Sequence, residues 1–133
     1  MDIAQIKIIK VPKFNAKNGK LIKIESGLDV EFNIKRFFQI TAKKNDIRGY
    51  HAHKKYYQLM ICTAGKMKIF CDDGINKKFF LLKDSNKAIL LPPKIWSYQE
   101  YLETPTILTV LTNGAFNEKE YIRNYKNFKH LKK

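Results

Sequence analysis

Two histidines separated by a single residue are the feature of this chain whose type and spacing could carry chemistry. His51 and His53 flank Ala52, Gln58 follows after four intervening residues, and Gly65 after six more. Side chains two residues apart on a β-strand point to the same face and lie roughly 7 Å apart. If that face lines a cavity, two neutral imidazoles near pH 7 can take a proton from one atom and return it to its neighbour. The pair therefore indicates isomerisation or epimerisation next to a carbonyl.

The same spacing is that of the two metal-binding motifs of cupin β-barrels, but most of the ligands are replaced. Gln58 stands where those motifs usually carry a glutamate. Ser97, which follows Pro92 and Trp96, stands where they usually carry the last histidine. Neither an amide nor a hydroxyl supplies the imidazole or carboxylate that Fe, Mn or Zn favour. The sequence therefore predicts that the two histidines act without a metal.

Three cations lie close to the histidines in sequence, namely Arg48, Lys54 and Lys55. Neighbouring positive charge disfavours the protonated form of an imidazole. We expect these cations to keep the rings uncharged, so that one of them can act as a base.

Short apolar runs bounded by turn residues extend through most of the chain. About nine such runs, at intervals of roughly ten residues, indicate an all-β sandwich or barrel. The predicted strands are residues 6–9, 21–24, 32–40, 56–63, 66–71, 79–82, 88–91, 96–102 and 107–111, with a polar turn at 15–20.

The end of the chain has a different periodicity. Tyr121, Ile122, Tyr125 and Phe128 have helical spacing. Residues 118–131 are therefore predicted to form a short amphipathic helix on the barrel, and the alternative is a fraying basic tail.

Length and composition indicate one domain over residues 1–133, large enough to form a core without disulfides. The first residues lack the charged region and apolar run of a signal peptide, and no apolar stretch approaches the roughly 18 residues that span a bilayer. Cys62 and Cys71 have no CxxC spacing. Reduced thiols in a cytoplasmic protein without a membrane partner are the expectation.

The formal net charge of +14 favours anionic partners. The lysines are spread over nearly every segment, whereas nucleic-acid readers tend to cluster basic residues with aromatics on one element. A phosphorylated small molecule needs only a few of these charges. A nucleic-acid binder is the alternative, and it would show a steep salt dependence. The sequence favours the small anion and no nucleic acid.

Longer stretches of the chain resemble the nucleotide-sugar 3,4-ketoisomerases. They are Phe32-Asn33-Ile34-Lys35-Arg36, Arg48-Gly49-Tyr50-His51-Ala52-His53-Lys54, Asp72-Asp73-Gly74, Leu91-Pro92-Pro93 with Trp96, and Glu120-Tyr121-Ile122-Arg123-Asn124-Tyr125. The resemblance covers residues 19–128, and the second and last stretches are specific in combination. It implies an all-β, RmlC-like cupin jelly-roll β-barrel with a short C-terminal helix, assembled as a homodimer.

The resemblance also implies an activity. The chain would be a metal-independent isomerase without a cofactor, acting on dTDP-4-keto-6-deoxy-D-glucose. It would move the keto group from C4 to C3 through an enediol and yield a dTDP-3-keto-6-deoxyhexose. Such products feed the synthesis of 3-amino-3,6-dideoxy sugars for surface polysaccharides.

Residue roles follow from the same resemblance. His51 matches the principal base, which takes the C3 proton, and His53 matches a partner that helps return a proton at C4. The residues expected to bind substrate are Arg48, Arg36, Lys54, Tyr50 and Gln58.

Several positions carry an alternative interpretation. Arg36 could instead form a purely structural ion pair, and Lys54 could lie on a solvated strand edge. Trp96 is expected to pack at the barrel mouth, and Tyr121 and Arg123 to serve tail docking or dimer contacts.

The chain departs from the family at Phe37 and Phe38, where members often carry tyrosines after Arg36. A phenolic proton donor is then missing there, so Tyr50, Tyr57, Tyr98 or water would have to serve. Ser97 is a second departure, since family members often carry His after the tryptophan.

Two further functions remain open at this point. A 3,5-epimerase of the same barrel class acts on a similar substrate, but that family pairs its catalytic His with Asp and is usually a longer chain. A non-catalytic cupin that only binds an anionic sugar is favoured by the two phenylalanines.

Overall fold

Twelve β-strands and one α-helix form in the computed structural model, which describes residues 2–16 and 18–132. The strands are β1 Lys7–Lys10, β2 Lys13–Ala16, β3 Gly19–Ile22, β4 Arg36–Ala42, β5 Ile47–His53, β6 Gln58–Ala64, β7 Lys66–Asp72, β8 Lys77–Lys83, β9 Lys87–Leu91, β10 Trp96–Tyr101, β11 Thr106–Thr112 and β12 Tyr121–Ile122. The helix α1 is Tyr125–Leu131, and 3-10 helices lie at Ile3–Gln5 and Glu118–Glu120. No helix in the described part of the chain is long and apolar enough to cross a bilayer.

The strands form two five-stranded antiparallel sheets. The first has the order β1-β9-β6-β11-β4, and the second has the order β12-β5-β10-β7-β8. A separate hairpin joins β2 to β3, and it replaces the predicted turn at 15–20, of which residue 17 lies outside the described residues. The predicted all-β jelly-roll class with a short C-terminal helix is confirmed.

The main core lies between the two sheets, and β7 shows how the sequence encodes it. Met67, Ile69 and Cys71 are buried, whereas the alternating Lys66, Lys68 and Phe70 are only half-buried. This period of two is the pattern of a strand with one face on the core and one toward solvent.

Each sheet also has a covered outer face. On the first sheet, Val11 and Val30 from the N-terminal segment pack with Leu59 and Ile61. On the second sheet, Phe128 of α1 and Ile122 of β12 pack on Ala52 and Trp96, which fixes the C-terminal segment beside β5. Trp96 therefore packs as expected, but it does so on the outer face.

The predicted helix over residues 118–131 is wrong in its first half. Tyr121 and Ile122 form β12, which pairs with His53 and Ala52 at the edge of β5. Asn124 then caps α1 by accepting a hydrogen bond from the N–H of Asn127. A strand followed by a helix buries Ile122 and Phe128 on one surface as well as a continuous helix would, so the apolar spacing cannot distinguish the two.

Two further boundaries differ from the prediction. The strand predicted from residue 32 begins only at Arg36, because Phe32 and Ile34 pack against the outer cluster of the first sheet. The strand β2 was not predicted, since Lys13–Ala16 has no alternating apolar pattern.

Candidate active site

A bulge in β5 directs the two histidines into the space between the sheets. Ser97 pairs with His51 and Tyr98 pairs with Gly49, so Tyr50 has no partner on β10. Gly49 has φ +108°, and a Cβ at this position would lie 2.9 Å from the Cα of Tyr98. Only glycine tolerates this approach and this backbone conformation. Beyond the bulge, His51 and His53 face inward, opposite Ala52.

The two imidazoles lie close together but are not equivalent. Their ring centroids are 5.5 Å apart and the planes are nearly perpendicular, at 83°. His51 is partly exposed, whereas His53 has only 4% of its surface accessible. Both therefore project from one face, as the spacing predicts, but only His51 is open to a ligand.

Both ring nitrogens of His53 face polar groups of the protein. The amide nitrogen of Gln58 lies 3.0 Å from Nε2, and Oε2 of Glu120 lies 3.5 Å from Nδ1. An amide nitrogen only donates, so this contact favours the tautomer in which Nε2 accepts and Nδ1, which faces Glu120, carries the proton. Gln58 is thus brought to the site, and its contact there is with His53.

Burial keeps both rings uncharged at neutral pH. It lowers the pKa of His53 to about 4, an effect that the neighbouring His51 strengthens and Glu120 opposes. Burial is also the main reason that the pKa of His51 is lowered, and the charge of Arg123 adds to it.

The cations that were expected to lower the pKa of the two imidazoles are not the ones that act on them. Arg48, Lys54 and Lys55 are exposed, and the cations that act on the two rings are Arg36 and Arg123. The sequence neighbours of a strand residue point elsewhere, whereas burial between the sheets acts on both rings.

Tyr121 lies against both histidines, which the sequence did not predict. Its ring centroid is 4.5 Å from that of His53 and 5.0 Å from that of His51. The hydroxyl accepts a hydrogen bond from Nη1 of Arg36, at 3.2 Å. This position follows from the pairing of Tyr121 with His53 across β12 and β5.

Arg36 closes the site from the first sheet. Its guanidinium lies over the rings of Phe38 and Phe116, at 4.5 and 5.0 Å from their centroids. Within residues 2–16 and 18–132, it makes no ion pair with a carboxylate. The structural ion pair considered for Arg36 is therefore not what positions it.

The family model described as FdtA, WxcM-like, C-terminal, matches residues 4–133. The chain belongs to this family. The family resemblance predicted from the sequence is confirmed.

Named relatives support the same placement. The TDP-4-oxo-6-deoxy-alpha-D-glucose-3,4-oxoisomerase of Aneurinibacillus thermoaerophilus is 32% identical over 124 residues, which cover 92% of this chain and 89% of that protein. A mutant of the QdtA 3,4-ketoisomerase of Thermoanaerobacterium thermosaccharolyticum, in complex with TDP-4-keto-6-deoxyglucose, matches with a TM-score of 0.93 and 31% identity, over 98% of this chain and 95% of that chain. WlaRA, a TDP-fucose-3,4-ketoisomerase of Campylobacter jejuni, matches with a TM-score of 0.89 and 34% identity, over 97% and 96% of the two chains.

Three residues assigned to substrate binding in this FdtA-family chain have contacts away from the histidine pair. Arg48 binds Asp46 at 2.8 Å, and 53% of its side chain is exposed. Lys54 is exposed, and its backbone N–H donates to the carbonyl of Glu120. Tyr50 lies on the outer face, stacked on Tyr98 with ring centroids 4.8 Å apart, because the bulge turns it outward. The assignment of Tyr50 to substrate binding stays a prediction.

The phenols proposed as replacement proton donors also lie elsewhere. Tyr98 stacks between Tyr50 and Phe70 on the outer face, and Tyr57 packs against the outer cluster of the first sheet. Tyr121 carries a phenol that contacts both histidines, and the phenol of Tyr56 stacks on His53.

The side chains of the described residues do not form a metal site. No group of three or more His, Cys, Asp or Glu side chains is placed to hold an ion. The Nε2 atom of His53 faces the amide of Gln58, as described above. Several buried polar atoms have no hydrogen-bond partner within the part of the chain that the structure describes, which gives the interior capacity for a polar ligand. They are Nδ1 of His51, Nδ1 of His53, and the hydroxyls of Ser97, Tyr101 and Thr112.

The two thiols take no part in this chemistry. Cys62 and Cys71 are free and buried, and burial raises the pKa of Cys62 to about 11 and that of Cys71 to about 12. Neither is a thiolate at neutral pH.

Proposed function

We propose that this chain is a sugar-nucleotide 3,4-ketoisomerase that converts dTDP-4-keto-6-deoxy-D-glucose to a dTDP-3-keto-6-deoxyhexose. The observation that carries this proposal is the neutral, partly exposed His51, held beside His53 and Tyr121 between the sheets. The names of the relatives support it, because they describe 3,4-ketoisomerases of TDP-linked sugars.

The reaction is a balanced internal transfer. His51 takes the proton from C3, and the electrons of that bond form the C3–C4 double bond of an enediolate as the C4 carbonyl oxygen becomes an alkoxide. A proton then adds to C4, and the C3 hydroxyl loses its proton as the C3 carbonyl forms. In net terms, C3 and its oxygen each lose one hydrogen, and C4 and its oxygen each gain one, so no external oxidant or reductant is consumed. The proton left on His51 and the one given by Tyr121 are balanced by exchange with solvent.

Tyr121 is the group we assign to the protonation of C4. Its ring lies next to both imidazoles, and its hydroxyl accepts a hydrogen bond from Arg36, which leaves the phenolic proton free to be donated. This assignment supplies the phenol whose absence at Phe37 and Phe38 favoured a binding protein without activity.

Arg36 is the residue we assign to the anionic part of the substrate. Its guanidinium has donors beyond the one used by Tyr121, and Arg is suited to bidentate binding of phosphate. Phe38 and Phe116 hold it in place. The assignments of Arg48 and Lys54 to substrate binding stay predictions.

The proposal includes a cytoplasmic homodimer. Two unpaired buried thiols are typical of a reducing compartment. Exposed apolar side chains on the N-terminal segment, including Phe14, Leu21 and Leu28, support an interface with a second copy.

The product of the reaction tests the proposal. Purified protein is incubated with dTDP-4-keto-6-deoxyglucose, and the sugar is examined by ¹³C NMR. We expect the carbonyl signal to move from C4 to C3, with no activity in His51→Asn and full activity in His130→Asn, a change in the exposed histidine of α1. Inversion at C5 would instead indicate the 3,5-epimerase, an alternative that the carboxylate of Glu120 beside His53 favours. Unchanged sugar together with bound nucleotide would indicate a binding protein.

A further inference from the structure

Glu120 is a buried acid that sequence reasoning did not single out. It ends the short helix Glu118–Glu120 and has only 6% of its surface accessible. Acidic side chains are almost never so buried unless they are paired. Its position follows from the next residue, because the pairing of Tyr121 with His53 brings Glu120 to the turn after β5.

Glu120 holds that turn by three hydrogen bonds. Its carbonyl accepts from the N–H of Lys54 at 2.9 Å. Its Oε2 atom accepts from the N–H groups of Lys55 and Tyr56, both at 2.8 Å. This turn also carries Tyr56, whose ring is stacked on His53 with centroids 6.0 Å apart. The carboxylate thus holds the chain on one side of His53.

The same oxygen faces the Nδ1 atom of His53 at 3.5 Å, while Gln58 occupies Nε2 on the other side. A carboxylate beside an imidazole N–H fixes both the tautomer and the orientation of the ring. With both nitrogens facing the protein, His53 has none left for the substrate.

We propose that Glu120 is a positioning residue for the ketoisomerase, which holds His53 in the Nδ1–H form so that His53 orients His51 and does not itself exchange a proton with the sugar. This inference rests on the proposed function. It changes the role expected for His53, which becomes a support for the base, and it leaves His51 as the proton acceptor and Tyr121 as the donor.

The first measurement uses the wild-type chain. Its histidines are labelled with ¹⁵N, and the ring signals at pH 7 are assigned with His51→Asn and His130→Asn. We expect His53 to be neutral with its proton on Nδ1. A proton on Nε2, or a charged ring at this pH, would overturn the inference.

The second measurement uses Glu120→Gln, which keeps an oxygen acceptor for the turn but removes the negative charge. We expect kcat to fall roughly 10- to 100-fold, as when the partner that orients a functional His is removed, while KM changes less than about threefold. The His53 signals should show a mixture of tautomers. The matched control is Glu103→Gln, an exposed glutamate in the turn between β10 and β11, at the other end of the sheet, and its kcat should equal that of wild type.

Two outcomes of the second measurement oppose the inference. Glu120→Gln with the wild-type kcat would show that the charge is not needed. A lower kcat that only matches a smaller folded fraction, with the His53 tautomer unchanged, would show that Glu120 is only structural. If the wild-type chain isomerises no sugar, the proposed function fails, and the tautomer in the wild-type chain still decides whether Glu120 positions His53.

Discussion

At the scale of single residues, two imidazoles that are only two positions apart in sequence have different surroundings in space. His51 is partly exposed and His53 is buried, and in the described part of the chain the Nδ1 atom of neither ring forms a hydrogen bond. His53 lies between Gln58 and Glu120 with both nitrogens facing them. We infer that the partly exposed ring does the chemistry and that the enclosed ring supports it.

Replacing Tyr121 by Phe tests the assignment of the proton donor. The ring contacts with both histidines stay, but the hydroxyl is lost, so protonation of C4 should slow by roughly 10²-fold or more, the lower bound for acid catalysis. Exchange of the C3 proton with solvent, followed by NMR in D2O, should persist. Tyr125→Phe, which removes a phenol of α1 that donates to Asp72, is the control. Equal losses of exchange and product formation would contradict this role.

The low pKa of His53 predicts how stability depends on pH. In the unfolded chain its pKa is near 6.5, and in the folded chain it is about 4. Above pH 6.5 neither state binds the proton, whereas at lower pH only the unfolded state does. The free energy of unfolding should therefore fall from pH 6.5 to 4, by up to roughly 3 kcal/mol.

Urea unfolding at pH 7 and pH 5 measures this effect. His53→Asn should remove most of the difference between the two pH values, and the exposed His130→Asn should keep it. A wild-type free energy of unfolding that is the same at both pH values would contradict the burial of a neutral His53.

At the scale of secondary structure, the site depends on a bulge and on a two-residue strand. The bulge at Gly49 and Tyr50 turns the histidines inward. Strand β12 adds Tyr121 and Glu120 to the edge of β5. Each is short, but together they place the base, the donor and the supporting carboxylate.

The sequence predicted neither the bulge nor β12, but it did predict that the two histidines share a face. The spacing of His51 and His53 is local, so a strand with period two was enough to place both rings on one face. Tyr121 and Glu120 reach the site through an antiparallel pairing between residues 53 and 121. No local pattern encodes that pairing, and the apolar spacing of the C-terminal segment favoured a helix instead.

Gly114 lies in the connection between β11 and β12 and packs against the ring of Tyr56. A Cβ at this position would lie 2.1 Å from Cζ of Tyr56. Gly114→Ala should therefore displace Tyr56 from His53. We expect kcat to fall even at temperatures well below the melting temperature of the variant, where it is fully folded. Ala at Gly27, whose Cβ would meet nothing within 4 Å but whose φ of +83° favours glycine, shows the cost of losing a glycine by backbone strain alone. Full activity in Gly114→Ala would show that the Tyr56 contact is not needed.

At the scale of the whole molecule, the jelly roll provides a rigid frame and the chain supplies a strongly positive field. The fold class was predictable because the strands alternate and turn residues separate them. The net charge of +14 was expected to favour an anionic partner, and a nucleotide sugar has the charge that this requires.

The proposed dimer has a direct test in solution. The chain has a mass of 15.7 kDa, so light scattering after size exclusion should give about twice that value. Changing the exposed Phe14 and Leu21 to Ser, opposite each other in the β2–β3 hairpin, should shift the mass toward that of the monomer. A monomeric wild-type chain at micromolar concentration would contradict the dimer.

Isomerisation in D2O tests the central claim most directly, because it shows where the protein moves a proton. With dTDP-4-keto-6-deoxyglucose, wild type should give a 3-keto product with deuterium at C4 and none at C5. His51→Asn should reduce both exchange and product by roughly 10² to 10⁴-fold, the range for a general base. Deuterium at C5, or product formation that survives the loss of His51, would contradict the account.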